Sequence, residues 1–275
     1  MVNARFLVIP QWQGSGSSRA MRLVDGAEAI RGDLPSASTT VVDIPLEAGD
    51  SRGSALPRLG SLGIVRDRTR EALESLPGRV LTIGGDCGVE LGSIGHVLER
   101  ESGDVAVVWF DAHADLNTPE SSPSGAFSGM VLRTLLGDGV DELVPQVPLK
   151  TVNLILGATR SIDDDEVGYL ASSGIASLGV DALTPESLVA AIEATGAASV
   201  YLHVDLDALD PSEIAGLSDP VPFGLESSAL IALIRAVTAR FEIAGSGITG
   251  YSPASESDVT DDLPTILRII GALSF

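Results

Sequence analysis

Only one cysteine, Cys87, occurs in the 275 residues, so an intrachain disulfide is excluded. Chains without disulfides belong most simply to reducing compartments, and a cytoplasmic protein is the expectation. Basic residues are scarce as well. Seventeen Lys and Arg stand against 38 Asp and Glu, a net charge of −21, and Lys150 is the sole lysine. So acidic a chain repels phosphate backbones and anionic headgroups, which argues against nucleic acid or membrane as a partner. No apolar run approaches the roughly 20 residues that a membrane span requires. The stretch Met1–Pro10 lacks a signal-peptide layout and reads as a first strand. Aromatics make up 4% of the chain against 44% hydrophobic residues, so the core must consist mostly of Val, Leu, Ile and Ala.

Those apolar residues come in short β-branched runs separated by helical patterns. Periodicity predicts strands over 5–9, 39–44, 79–83, 105–110, 151–157, 175–178, 199–204 and 242–249. It predicts helices over 18–31, 61–76, 88–100, 127–136, 164–173, 185–195, 225–240 and 262–272. Such alternation implies an α/β fold, a parallel sheet covered on both faces by helices. Ser51–Ser54 and Ser121–Gly125 are loops too short to be linkers, so 1–275 reads as a single domain.

The strongest chemical signal follows the apolar run Val105–Phe110. Asp111, His113 and Asp115 stand at i, i+2 and i+4, a spacing that faces all three the same way in an extended backbone. Asp205 and Asp207 repeat the i, i+2 pattern after Ser199–Val204. Four carboxylates and an imidazole at strand ends would repel one another or sit unsatisfied without a cation, and a pair of divalent metal ions is the natural candidate. A third strand runs into Gly84-Gly85-Asp86-Cys87. Ligands of open parallel sheets bind outside the carboxyl ends of the strands, so the three segments are expected to converge on one edge.

Read together, Gly84–Cys87, Asp111-Ala-His-Ala-Asp-Leu-Asn-Thr118 and His203-Val-Asp-Leu-Asp-Ala-Leu-Asp-Pro211 resemble the arginase, agmatinase and formimidoylglutamase (ureohydrolase) family. The resemblance implies a three-layer α/β/α fold with an eight-stranded parallel sheet. It implies two divalent metal ions, manganese first among them, and hydrolysis of a linear C–N bond in a guanidino or amidino compound. A hydroxide bridging the metals would be the nucleophile, with Asp115 taking the proton. By position, Cys87, Asp111, His113, Asp115, Asp205 and Asp207 become the expected metal ligands. Asn117, Ser124, Asp163 and Glu166 become the expected contacts of an amino-acid substrate. The family also implies a homo-oligomer, a trimer or hexamer.

Three residues depart from the family pattern. Cys87 stands where many members have a ligating histidine, a softer donor that shifts preference from manganese toward zinc, iron or nickel. Ser128 stands where arginases carry a histidine thought to shuttle protons. Gly250 stands where a glutamate often grips the guanidinium, and its loss removes a charge-assisted hydrogen bond. Asp219, in Leu217–Pro222, could supply that charge from another loop, or simply cap a turn before Pro220.

The remaining polar residues read more plainly. Asp86 reads as a buried hydrogen-bonding residue or helix cap. His203 reads as a packed strand histidine before it reads as a ligand, although it shares its face with Asp205. His96 reads as structural, Trp12 and Trp109 as core or interface, and Asp210 and Pro211 as shapers of the loop after the second acidic pair. Two other functional classes stay open: a single-metal amide hydrolase of the deacetylase type, and a binding protein that has kept the fold without the chemistry.

Overall fold

Strand residues sort by parity onto two buried faces, and that sorting produces the three layers. In β4 (Val105–Phe110) every residue is buried. Ala106, Val108 and Phe110 join one hydrophobic cluster, while Val105, Val107 and Trp109 join another. The same split divides Val200, Leu202 and Val204 from Tyr201 in β7 (Ser199–Asp205). A strand buried on both faces cannot alternate polar with apolar, which is why these segments read as unbroken hydrophobic runs.

The computed structural model describes residues 4–274, leaving Met1–Asn3 and Phe275 outside the described residues. The other strands are β1 (Arg5–Ile9), β2 (Thr39–Val41), β3 (Val80–Gly84), β5 (Leu154–Gly157), β6 (Ala176–Leu178) and β8 (Glu242–Thr249). All eight form one sheet in the order β2-β1-β3-β8-β7-β4-β5-β6, with every neighbouring pair parallel. The helices are α1 (Met21–Gly32), α2 (Leu59–Ser75), α3 (Glu90–Arg100), α4 (Val131–Leu135), α5 (Asp164–Ser173), α6 (Pro185–Thr195), α7 (Ser227–Thr238) and α8 (Glu256–Leu273). Helices α1, α6, α7 and α8 pack on the face of Val108, and α3, α4 and α5 pack on the face of Trp109. The fold is the expected α/β/α sandwich around an eight-stranded parallel sheet. Among the described residues, no helix is long and apolar enough to cross a membrane.

Several element boundaries differ from the sequence expectation. Residues 42–44 lie beyond β2, Val42 N still donating to Val8 O of β1, and 151–153 form a 3-10 turn before β5 rather than strand. The helix expected over 127–136 is a 3-10 turn at 127–130 followed by the short α4. Helix α8 begins six residues earlier than expected, at Glu256, because Ser255 caps it by accepting from Asp258 N. Its first turns face solvent and carry no apolar period, so the pattern detected only the buried half.

Candidate metal centre

Strands β3, β8, β7 and β4 are consecutive neighbours in the sheet, and their carboxyl ends bring the three motifs together. Backbone bonds hold the loops in place. Asp111 N donates to Gly157 O at 3.1 Å, while Arg160 N and Ser161 N both donate to Ala112 O. The segment after β4 is no longer strand, and Asp115 takes a left-handed backbone (φ 53°). The same-face spacing of an extended chain therefore ends before Asp115, which is aimed instead by this turn. Its carbonyl is held by Leu132 N at the start of α4.

Two groups of donor atoms result, and within each group all lie within 4.8 Å of one another. Cys87, Asp111, His203 and Asp205 form one; Asp111, His113 and Asp207 form the other. Asp111 belongs to both. Asp205 Oδ2 accepts from Cys87 Sγ at 2.8 Å and from Thr249 Oγ1 at 3.0 Å, and its Oδ1 accepts from Asp207 N at 2.9 Å. Asp111 Oδ2 accepts from Trp109 Nε1 at 3.1 Å. Asp207 Oδ1 accepts from Ala112 N at 3.0 Å, and its Oδ2 faces His113 Nδ1 at 3.0 Å. Asp115 falls outside both close groups but lines the same cavity, and its Oδ2 is buried with no hydrogen-bond partner.

Burial and neighbouring charge shift several of these groups. Burial pushes Asp205 up to about 6, with the Asp207 charge adding to it. Burial and the Asp111 charge raise Asp207 also, and the same two causes raise Asp115 well above the carboxylate range. Burial, then the charges of Asp205, Asp115 and Asp111, push the Cys87 thiol well up. Burial works against a charge on His113, but its contacts with Asp111 and Asp207 prevail and lift it to about 12. The residues present fit divalent cations: the donors are oxygen, imidazole and one sulfur, and a buried carboxylate oxygen lacks any protein partner.

Above these groups lies a cavity of about 520 Å³, lined among others by Asn117, Ser124, Ser128, Asp163, Glu166 and Asp219. Asn117 Nδ2 donates to Asp163 Oδ2 at 2.8 Å, and Asn117 Oδ1 accepts from Ser121 Oγ at 2.8 Å. Glu166 is buried, its carboxylate accepting from Leu116 N at 2.8 Å and from Asp163 N at 2.9 Å, which ties the start of α5 to the loop after β4. Ser124 Oγ accepts from Ala126 N at 3.2 Å. Asp86 is a cap, accepting from Gly88 N at the start of a 3-10 turn.

A sequence profile of the Arginase family matches residues 22–267. The chain belongs to the arginase family. Arginase from Entamoeba histolytica is 29% identical over 238 residues, covering 83% of this chain and 80% of that one. Arginase from Bacillus caldovelox is 30% identical over 234 residues, covering 77% and 75%. The crystal structure of the E. histolytica enzyme in complex with L-ornithine superposes with a TM-score of 0.87 over 98% of this chain and 97% of that one. At 23% identity in that superposition, the likeness speaks for the fold. Formimidoylglutamase from Bacillus subtilis shares the fold with a TM-score of 0.76 at 18% identity, over 98% of this chain and 86% of that one. The protein is thus an arginase-family hydrolase with a cluster of residues able to bind metal.

Against that family background the departures acquire structural form. Gly250 has φ +85°, and a Cβ added there would run into the Asp205 carboxylate. A glutamate at 250 is therefore incompatible with this packing. Asp219 is a rim residue, its side chain 80% exposed and its Oδ2 3.8 Å from His113 Nε2. Ser128 sits in the cavity wall with its N–H on Gly14 O.

Three contributors to the site escaped the sequence reading. Glu90 is fully buried beneath the centre, Thr249 bonds Asp205, and Arg160 donates to the carbonyls of Asp207, Leu209 and Val221. Only Glu90 left a signal: a carboxylate falling on the inner stripe of α3 with Ile94, Val97 and Leu98.

Proposed function

We propose that this chain hydrolyses a linear C–N bond in a guanidino or amidino compound, with two divalent cations held by Cys87, Asp111, His113, Asp115, Asp205 and Asp207. The observation that carries the proposal is the pair of donor groups sharing Asp111 at the base of a polar cavity. Divalent cations there, manganese the first to test, would supply Lewis-acid activation of water near neutral pH. The residues supply the rest. Asp115 accepts the proton of the attacking water and returns it to the departing nitrogen as the C–N bond breaks; its uncommitted, buried Oδ2 supports that role. His113 and Asp207, 3.0 Å apart, hold each other in register.

Substrate recognition is acidic. Asp163, Glu166 and Asp219 line the cavity and suit a cationic substrate, while Asn117 and Ser124 offer polar contacts to a carboxylate. We assign to Asp219 the charge that Gly250 does not provide, supported by its position 3.8 Å from His113 at the cavity rim. The absence of a glutamate at 250 and of a histidine at 128 favours a guanidino or formimino compound other than arginine.

The test is metal content after purification without added metal and again after manganese loading, followed by a screen for urea and ammonia release over guanidino and formimino compounds. Near-stoichiometric metal with turnover of one class supports the proposal. Metal without turnover of any would point to a binding protein, and the absence of metal under both conditions would refute the mechanism.

A further inference from the structure

His203 is spaced like a strand residue and packed like one, yet its surroundings exceed what packing requires. It lies in a row across the sheet in which Thr82, Gly247, His203 and Trp109 are register partners on β3, β8, β7 and β4. Its ring stacks on Trp109 with centroids 3.5 Å apart. Behind it, Nδ1 meets Glu90 Oε1 at 2.9 Å, and Glu90 Oε2 accepts from Tyr201 OH at 2.6 Å. Glu90 and His203 are both wholly inaccessible to solvent. A carboxylate buried there forfeits several kcal/mol of hydration, so it calls for a partner that uses it. Gly247 makes room for it, since a Cβ on that residue would occupy the place of Glu90 Oε1. In front, Nε2 points at Cys87 Sγ, 3.7 Å away.

We propose that His203 is a metal ligand through Nε2, completing a Cys87–Asp111–His203–Asp205 site that selects zinc over manganese. The inference deepens the metal-dependent reading above and rests on it. The chain lacks a histidine at position 87 and provides one from β7, two strands across the sheet from β3. A carboxylate accepts only, so Glu90 fixes the Nδ1–H tautomer and leaves the Nε2 lone pair toward the cluster. This carboxylate–histidine–metal arrangement is the usual support of a ligating imidazole. At ordinary zinc bond lengths, a tetrahedral site separates thiolate sulfur and imidazole nitrogen by about 3.5 Å. The observed 3.7 Å matches that edge, and the 3.9 Å from Cys87 Sγ to Asp111 Oδ2 is close to the corresponding sulfur–oxygen edge. The 2.8 Å contact of Cys87 Sγ with Asp205 Oδ2 is a thiol donating to a carboxylate. That edge must lengthen, by about 0.8 Å, when the thiol proton leaves to solvent. One thiolate and one imidazole suit zinc better than manganese. Glu90 is a positioning residue in this scheme, and Tyr201 holds its second oxygen.

The test uses the full chain crystallised with equal zinc and manganese, the two elements distinguished by anomalous scattering. Zinc within about 2.2 Å of His203 Nε2 and about 2.4 Å of Cys87 Sγ is the expected result. In solution, the cobalt(II)-loaded protein should show thiolate charge-transfer absorption that Cys87→Ser abolishes. His203→Gln should weaken zinc binding by about 100-fold and Glu90→Gln by about 10–100-fold, with manganese binding at His113 and Asp207 changed far less. Melting in chelator confirms that each variant folds, and the crystal structure requires no variant. Zinc on Cys87 with His203 Nε2 beyond about 3 Å, manganese in this site, or a folded His203→Gln within about threefold of wild-type zinc affinity overturns the inference and leaves the hydrolase standing. No metal on the wild-type protein overturns both.

Discussion

Stripping the metal should invert the pH dependence of stability. The perturbation is exhaustive chelation, followed by thermal melting between pH 5 and pH 8. Burial and the Asp207 charge raise Asp205 from 3.8 to about 6, so the metal-free fold holds a proton there that the unfolded chain has already released. A group with a raised folded pKa binds more protons in the native state, so its contribution to stability falls as pH rises through the folded value. For Asp205 this amounts to about 3 kcal/mol, gained below pH 4 and gone above pH 7. Asp207 and Asp115 are raised also and act in the same direction. His113, lifted to about 12, adds to the trend: above pH 6.5 the unfolded imidazole loses a proton that the folded one keeps. Half-buried His96, held down by its burial, opposes the trend weakly. Between pH 5 and pH 8 about 1.4 kcal/mol of the Asp205 contribution is lost, so with Asp205 alone the metal-free melting temperature should drop by about 3–6 °C. The loaded protein should behave oppositely, because protons compete with the cation for the same oxygens. At metal concentrations near 1,000 times the Kd, binding adds about 4 kcal/mol at neutral pH and loses it on acidification. A chelated protein whose melting temperature is flat or rises from pH 5 to pH 8 would refute the electrostatic account of the centre.

Three substitutions probe other parts of the argument. Asp219→Ala should raise KM for the turned-over guanidino or formimino compound by about tenfold, with kcat changed less than about threefold, consistent with loss of one charge-assisted contact; unchanged KM and kcat would dismiss its role. Gly250→Glu should fold poorly or lose metal, because φ +85° and the Asp205 carboxylate leave no place for a side chain; a destabilisation of about 2–4 kcal/mol in chemical denaturation is expected, and a stable, fully metallated variant would show that the packing is adaptable. Arg160→Ala removes donors to the carbonyls of Asp207, Leu209 and Val221. Metal affinity should fall by about tenfold and stability by about 2 kcal/mol, and unaltered calorimetric titration would place the loop's rigidity elsewhere.

Sequence periodicity located every strand and helix, most boundaries to within three residues, because a doubly covered parallel sheet leaves its central strands apolar and its helices amphipathic. Boundaries failed where the cause was local and polar, as in the Ser255 cap of α8. Convergence of Cys87, Asp111, His113, Asp205 and Asp207 was legible for a similar reason: parallel strands end on one edge, and acids placed after apolar runs must lie there. Thr249 and Arg160 were not, and Glu90 showed only as a carboxylate on the buried stripe of α3, since each acts on a motif residue far away in sequence.

Composition and pattern by themselves determined the class of fold, the edge on which the acidic motifs meet and most of the residues gathered there. Those properties follow from hydrophobic period and chain direction, which are local. Which of these side chains come close enough to hold one cation together was decided only in three dimensions. The order of strands sets His203 across from Trp109, the bare backbone of Gly247 admits Glu90, and the left-handed turn at Asp115 draws its carboxylate away from both close groups. Each depends on contacts between segments distant in sequence, where register and close packing, rather than residue type, determine what a side chain can reach.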